Sequence, residues 1–385
     1  MADVFKVINS LYAESFKGIE NNEGKTKNNT ILMGSYVKVL PETDGKWQHI
    51  EAFGKKGWID KDSMGGIPGL KCFYLDCGQG DSSLIEIGGD DAEGLKIIID
   101  GGPGDNLSRY LNKWQYKYYL NKGQKIHINY MFISHFDKDH YNGLIELINN
   151  DHYTFGTIYH NGIAKFSREK ETFPASYNTE LGQKVKTGQE KYLVTYFDDI
   201  DSLANLKNKG GLSDMMENFL AAVSNAYSHG RLDYLKRIDF KSTLQSHTIN
   251  NVPFEISVMG PVTSEVDSEM AFKYFDDDSH TINGHSLVLK LRYGTKTFLF
   301  GGDLNIQSET HLLEHYTGQN VFEVDVAKAC HHGSSEFTTE FMAAVNPLST
   351  VISSGDNESY SHPRADAIGC AGKSLSYYPV RISSV

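Results

Sequence analysis

The sequence predicts a layered α/β domain preceded by a small β-rich module. Two observations carry this. From Leu70 onward, short apolar strands alternate with helical stretches, and each strand runs into a Gly- or Asp-rich turn. Between Ile31 and Asp60, β-prone pieces follow one another with only turn residues between them. Of the 385 residues, 39% are hydrophobic and 12% aromatic, enough for a sizeable core.

Taken in order, residues 1–29 end in a polar run, KGIENNEGKTKNN, which reads as a loop. ILMGSYVKVL, WQHIEAF and GKKGWID then read as strands, with Trp47 and Trp58 on separate ones. MGGIPG reads as a linker, so the expected division is 1–66 and 67–385. KCFYLDCG, SSLIEIGG, LKIIIDGG and IHINYMFIS read as strands, and SRYLNKWQYKYYLNK and YNGLIELINN as helices. Residues 151–250 are polar and rich in Asn, Lys and Tyr, with one helical block, LSDMMENFLAAVSNAYSH. They read as an insertion that covers or shapes a site, in which Tyr192, Tyr196 and Phe197 either pack the segment or stack on bases. From Val252, PFEISVMG, SLVLKLRYG, TKTFLFGGD, VFEVDVAKA and TVISSGD read as strands and TTEFMAAVN as a helix.

The net charge of −12 argues against a non-specific nucleic-acid coat, which needs clustered Lys and Arg. It does not argue against a nuclease, because divalent cations neutralise an acidic site. No apolar run reaches the ~18 residues of a membrane span, and MADVFKVINS lacks the basic flank and apolar block of a secretory signal. A cytoplasmic location is the expectation. Cys72, Cys77, Cys330 and Cys370 read as free thiols rather than a disulfide framework.

The chemistry concentrates in SHFDKDHYNG at 134–143. His135, Asp137, Asp139 and His140 fall within six positions after a buried strand. Imidazole nitrogen and carboxylate oxygen suit zinc, and carboxylate also suits manganese or iron. Other predicted strand ends carry further candidates: His285, Asp303, His331 with His332, and His362.

HFDKDH resembles the metallo-β-lactamase motif His-x-His-x-Asp-His, with Asp137 at the second His. Together with LDCGQGDSSLIE (75–86), IIIDGG (97–102), GGD (301–303), HHGS (331–334) and SGDNESYSHP (354–363), it is similar to the metallo-β-lactamase domain of ComEC-type competence proteins. The His-x-Asp-x-Asp-His pattern also resembles teichoic acid phosphorylcholine esterase. The likeness runs over about residues 68–364. Ahead of it, Gly34, Val37, Val39, Trp47, Gly57 and Trp58 resemble a bacterial SH3-like domain, which implies a small barrel with its own partner or ligand, or a packing appendage.

These resemblances imply an αββα sandwich with two divalent cations at one edge, zinc first and manganese or iron as alternatives. His135, Asp137 and His285 would hold one; Asp139, His140 and one histidine of the pair, His332 ahead of His331, the other, with Asp303 bridging and His362 either a ligand or a proton donor. Asp100 would orient a ligand. The implied activity is hydrolysis by a metal-activated hydroxide. Asp139 would hold the nucleophile, and His331 or His362 would protonate the leaving group. A phosphodiester is the expected substrate: nucleic acid, nucleotide or phospho-headgroup. Carboxyl ester, lactone or amide hydrolysis is the alternative, and a non-catalytic binding module the third reading. The tail AIGCAGKSLSYYPVRISSV does not read as the helix such proteins carry after the His-Pro motif.

Overall fold

The computed structural model describes residues 4–66, 69–89, 94–355 and 359–377. The middle of the expected linker, 67–68, and residues 356–358 of the SGDNESYSHP stretch lie outside these.

Two six-stranded sheets face each other. The first runs in the order Leu232–Arg237, Tyr153–His160, Ile126–Ile133, Leu95–Gly101, Ser82–Ile87, Leu70–Tyr74. Its first four strands are parallel and the last two antiparallel. The second runs His247–Ile249, Val252–Gly260, Val288–Tyr293, Lys296–Phe300, Val326–Lys328, Ser349–Val351, with the last three parallel.

Strand periodicity explains the layering. Successive side chains alternate between faces. Ile97 and Ile99 therefore meet Phe254, Leu289 and Leu291 of the second sheet. Ile98, between them, packs with Leu107, Leu144 and Leu147 of the outer helices. Buried on both faces, LKIIIDG is apolar almost throughout, as such strands must be. A third cluster (Val288, Leu299, Leu312, Phe341, Val345) covers the outer side of the second sheet. The result is the expected αββα sandwich.

Helix Lys138–Ile148 buries His140, Tyr141, Leu144, Leu147 and Ile148, one stripe at helical spacing. Gly143 lets that helix reach the turn after Asp100: a Cβ there would lie 2.1 Å from the Gly101 carbonyl oxygen. The helix and the Asp100 turn are thus locked backbone to backbone.

The N-terminal module is a curled antiparallel half-barrel of seven strands, around Ile8, Ile31, Val37, Ile50 and Ile59. The polar run before Ile31 is not the expected loop. It forms a hairpin, Tyr12–Glu20 with Glu23–Leu32, turned by Asn21 and Asn22 at φ 51° and 63°. Consecutive positive φ values match a primed turn, which Asn tolerates. Phe5 meets Tyr119 of the large sandwich at a ring separation of 6.4 Å.

Residues 151–250 depart from the expected insertion at both ends, because Tyr153–His160 and Leu232–Arg237 are strands of the first sheet. Between them lie helices Ile200–Lys209 and Asp214–Ser228 and the hairpin Lys184–Thr187 with Glu190–Leu193. Phe197 is fully buried and stacks on His160 at 4.3 Å, which settles it as packing. The tail also differs from expectation: a helix, Ala365–Tyr377, does follow His362 and Pro363. Among the described residues, no helix is long and apolar enough to cross a membrane.

Candidate metal centre

The candidate residues gather at one edge of the sandwich, where the parallel strands end. Strand Ile126–Ile133 delivers His135, strand Lys296–Phe300 delivers Asp303, and strand Val326–Lys328 delivers His331 and His332. Open α/β sheets place their sites at such carboxyl ends.

Asp139, His140, Asp303 and His332 bring one ligand atom each within 4.8 Å of one another. Asp303 is central. Its Oδ1 is 3.2 Å from His140 Nε2, and its Oδ2 is 3.3 Å from His332 Nε2. Asp139 Oδ2 lies 3.4 Å from His332 Nε2 and 4.0 Å from His140 Nε2.

Both imidazoles are aimed from behind. His140 Nδ1 is 2.9 Å from Asp100 Oδ2, and Asp100 also accepts from the Ser134 backbone N–H at 2.8 Å and its hydroxyl at 2.7 Å. Asp100 reaches this position from a left-handed backbone, φ 58°. His332 Nδ1 is 3.2 Å from the Ser353 carbonyl oxygen, its hydrogen-bond partner, and 3.1 Å from Asp81 Oδ1, and Asp81 is in turn ion-paired to the buried Lys328. An acceptor behind each ring, the Asp100 carboxylate for His140 and the Ser353 carbonyl for His332, fixes its tautomer and leaves Nε2 free, with the Asp81 charge beside the second. Sequence reasoning anticipated Asp100 and missed Asp81 and Lys328. Asp81 lay within the quoted LDCGQGDSSLIE, where a single acidic residue at a strand start carries no mark of its function.

The other expected half is less complete. His135 Nε2 is 3.8 Å from Asp137 Oδ2, and its Nδ1 sits 3.1 and 3.2 Å from the Ser134 and Ser286 hydroxyls. Asp137 Oδ1, however, receives the Lys165 ammonium at 2.7 Å. His285 is a correction. Its ring stacks on Phe275 at 4.9 Å, and its Nε2 lies 2.7 Å from the Lys273 carbonyl oxygen. Burial pushes its pKa down to about 3, so it is a neutral ring held inside the protein. Its neighbour Ser286 reaches the site instead, and also accepts the Asp303 N–H at 3.1 Å.

His331 and His332 both have left-handed backbones, φ 48° and 55°, so the two rings diverge. His331 Nε2 is 3.8 Å from Asp303 Oδ2, and its ring is more exposed than that of His332. The His362 ring lies 5.8 Å from that of His331. Gln79 Nε2 is 3.3 Å from His362 Nδ1, while Gln79 Oε1 accepts the Gly355 N–H. With the amide oriented this way, His362 carries its proton on Nε2.

The residues present fit a divalent cation. His135 Nε2, His140 Nε2, His332 Nε2 and Asp303 Oδ1 are all buried without a hydrogen-bond partner. Such orphans are rare in folded proteins and need an explanation. Electrostatics agree. Burial opposes charge on His140 and His332, yet Asp303, with Asp100 and Asp81, holds both imidazoles well above the usual histidine range. Burial works against the Asp303 carboxylate too, but His332 and His140 hold its pKa well below normal. A site that draws positive charge this strongly accepts a cation in place of those protons.

Facing sheets between helical layers, with imidazoles and carboxylates clustered at the strand ends, define an αββα protein built around a candidate metal centre. A profile of the Metallo-beta-lactamase superfamily matches residues 75–347, more than half of the chain. The chain belongs to that superfamily. It is also similar to ComE operon protein 3 of Bacillus subtilis (strain 168), at 36% identity over 90 residues. That stretch is 22% of this chain and only 11% of the relative's length. Among solved structures, a long form RNase Z from yeast is 11% identical with a TM-score of 0.37, over 77% of this chain and 39% of that one. Zn(2+)-bound PqqB from Methylobacterium extorquens is 11% identical with a TM-score of 0.28, over 68% and 72%. Likeness this loose says nothing about substrate.

Proposed function

We propose that this chain is a metal-dependent hydrolase whose substrate is a phosphodiester. The observation that carries the reading is the set of buried, unpartnered donor atoms around Asp303. Asp139, His140, Asp303 and His332 would hold the cation. Two nitrogens and two carboxylates suit zinc, with manganese or iron as alternatives. A divalent cation, when bound, acidifies water toward neutral pH and offsets charge on the scissile group.

The chain's own residues divide the remaining work. Asp139 is the least buried of the four and holds the attacking water at the mouth of the site. Lys165, His331 and His362 border the site and offer N–H donors to an anionic substrate. Burial, together with His331 and His332, keeps the pKa of His362 below the ordinary range, so it meets a substrate oxygen as a neutral donor through Nε2–H. His331 is the group assigned to protonate the leaving oxygen.

The test is turnover by metal-reloaded protein of bis-p-nitrophenyl phosphate against p-nitrophenyl acetate. Diester hydrolysis that is lost in Asp303→Ala supports the proposal. Hydrolysis of the acetate alone moves the substrate to the acyl class. No turnover of either with zinc, manganese, iron or cobalt overturns it.

A further inference from the structure

The resemblance to metallo-β-lactamase proteins implies two cations, yet the half of the site around Asp137 already contains a positive charge. We propose that the ammonium of Lys165 stands in for a second metal ion, so that the protein holds a single divalent cation tightly. This rests on the metal-dependent reading above.

Three observations converge. First, the four donors that gather tightly are Asp139, His140, Asp303 and His332, all on one side. Second, among the described residues the opposite side offers His135 Nε2 and Asp137 Oδ2, 3.8 Å apart, since His285 is committed to the Lys273 carbonyl. Third, the carboxylate on that side is already charge-paired: Lys165 Nζ lies 2.7 Å from Asp137 Oδ1. A second divalent ion on Asp137 would share one carboxylate with an ammonium and meet direct repulsion from it.

Lys165 is delivered firmly. Its carbonyl accepts the Ser213 N–H at 2.9 Å, Phe166 next to it pairs with Leu212, and the Ser167 N–H donates to the Gly211 carbonyl at 2.8 Å. The segment between strands Tyr153–His160 and Leu232–Arg237 thus supplies a fixed positive charge to the site. An ammonium supplies charge and hydrogen bonds to a bound anion, but it cannot acidify a coordinated water. The two halves would then be chemically unequal: one activates, the other holds.

The experiment is metal counting. Chelator-stripped protein is reloaded with excess Mn2+, desalted and measured by elemental analysis, with electron paramagnetic resonance of the same samples. The proposal expects about one ion per wild-type chain and the spectrum of an isolated ion. Lys165→Met, with its fold checked by circular dichroism, should bind a second ion at least about tenfold more tightly than wild type and show an exchange-coupled pair. Lys165→Arg keeps the charge and should stay at one ion. Two tightly held ions in wild type, or a Lys165→Met protein indistinguishable from it, overturns the proposal. No retained ion in any of the three removes the metal reading itself, and this inference with it.

Discussion

The two halves of the site differ in how each ligand is held, and the difference is instructive. In the half around Asp303, each imidazole has a carboxylate behind it: Asp100 behind His140, and Asp81 behind His332. In the other half, His135 Nδ1 faces the Ser134 and Ser286 hydroxyls instead of a carboxylate, Asp137 is paired with Lys165, and His285 has turned to a backbone carbonyl. A histidine near a strand end becomes a ligand when one nitrogen is anchored and the other is left free. His285 shows the reverse, with Nε2 already satisfied.

The strongest way to break this comparison is to remove its centre. Asp303→Ala takes away the carboxylate lying between His140 and His332. Bound metal, by elemental analysis, should fall to near zero, and diester turnover by roughly 10³-fold.

The anchors come next. Asp81→Asn leaves the buried Lys328 without its counter-charge, which should cost about 3–5 kcal/mol in denaturant unfolding. Asp100→Asn leaves no such orphan and should weaken metal affinity by about 10–100-fold with a smaller loss of stability. If the two variants behave alike, Lys328 does not matter to the anchoring of His332.

A pH experiment sharpens the comparison further. Glu309 follows Asp303 on helix Ile306–His315 and accepts hydrogen bonds from the Thr338 N–H and hydroxyl, a few residues beyond His332. It therefore ties together the two segments of the complete half. Burial pushes its carboxyl from 4.5 up to about 8, with the Thr338 bonds pulling the other way. Between those values the folded state keeps a proton that the unfolded state has lost. This contribution to stability is full below about 4.5 and drains away as pH rises through about 8. The unfolding free energy from urea titration should fall over that window by an amount on the order of a few kcal/mol, and Glu309→Gln should flatten the fall.

The smallest effect belongs to His285. In His285→Phe the Lys273 carbonyl loses its partner, which should cost about 1–3 kcal/mol, while metal content stays unchanged. A loss of metal in this variant would restore His285 as a ligand.

What the sequence made legible follows from range. The loop after Ile133 announces itself because four ligand-type residues lie within six positions, and the strands announce themselves through apolar runs such as LKIIIDGG. The direction of the His285 ring depends on Phe272, Phe275 and the Lys273 carbonyl, a neighbourhood that exists only once the chain has folded. Lys165 is one lysine in a polar segment, and nothing local marks its approach to Asp137. The first hairpin was obscured because its long outer strand is mostly exposed, so no apolar face shows in Glu23–Leu32. The helix Ala365–Tyr377 was obscured by two glycines, which lower helix propensity without forbidding it.

Asp139, His140, Asp303 and His332 are the four side chains proposed to cage a divalent cation. Anomalous diffraction from crystals of the zinc- or manganese-loaded protein tests that cage most directly. A strong anomalous peak enclosed by these four side chains, absent in Asp303→Ala, is the expected result. Fully loaded crystals with no peak there, or with the only peak elsewhere on the molecule, would contradict it.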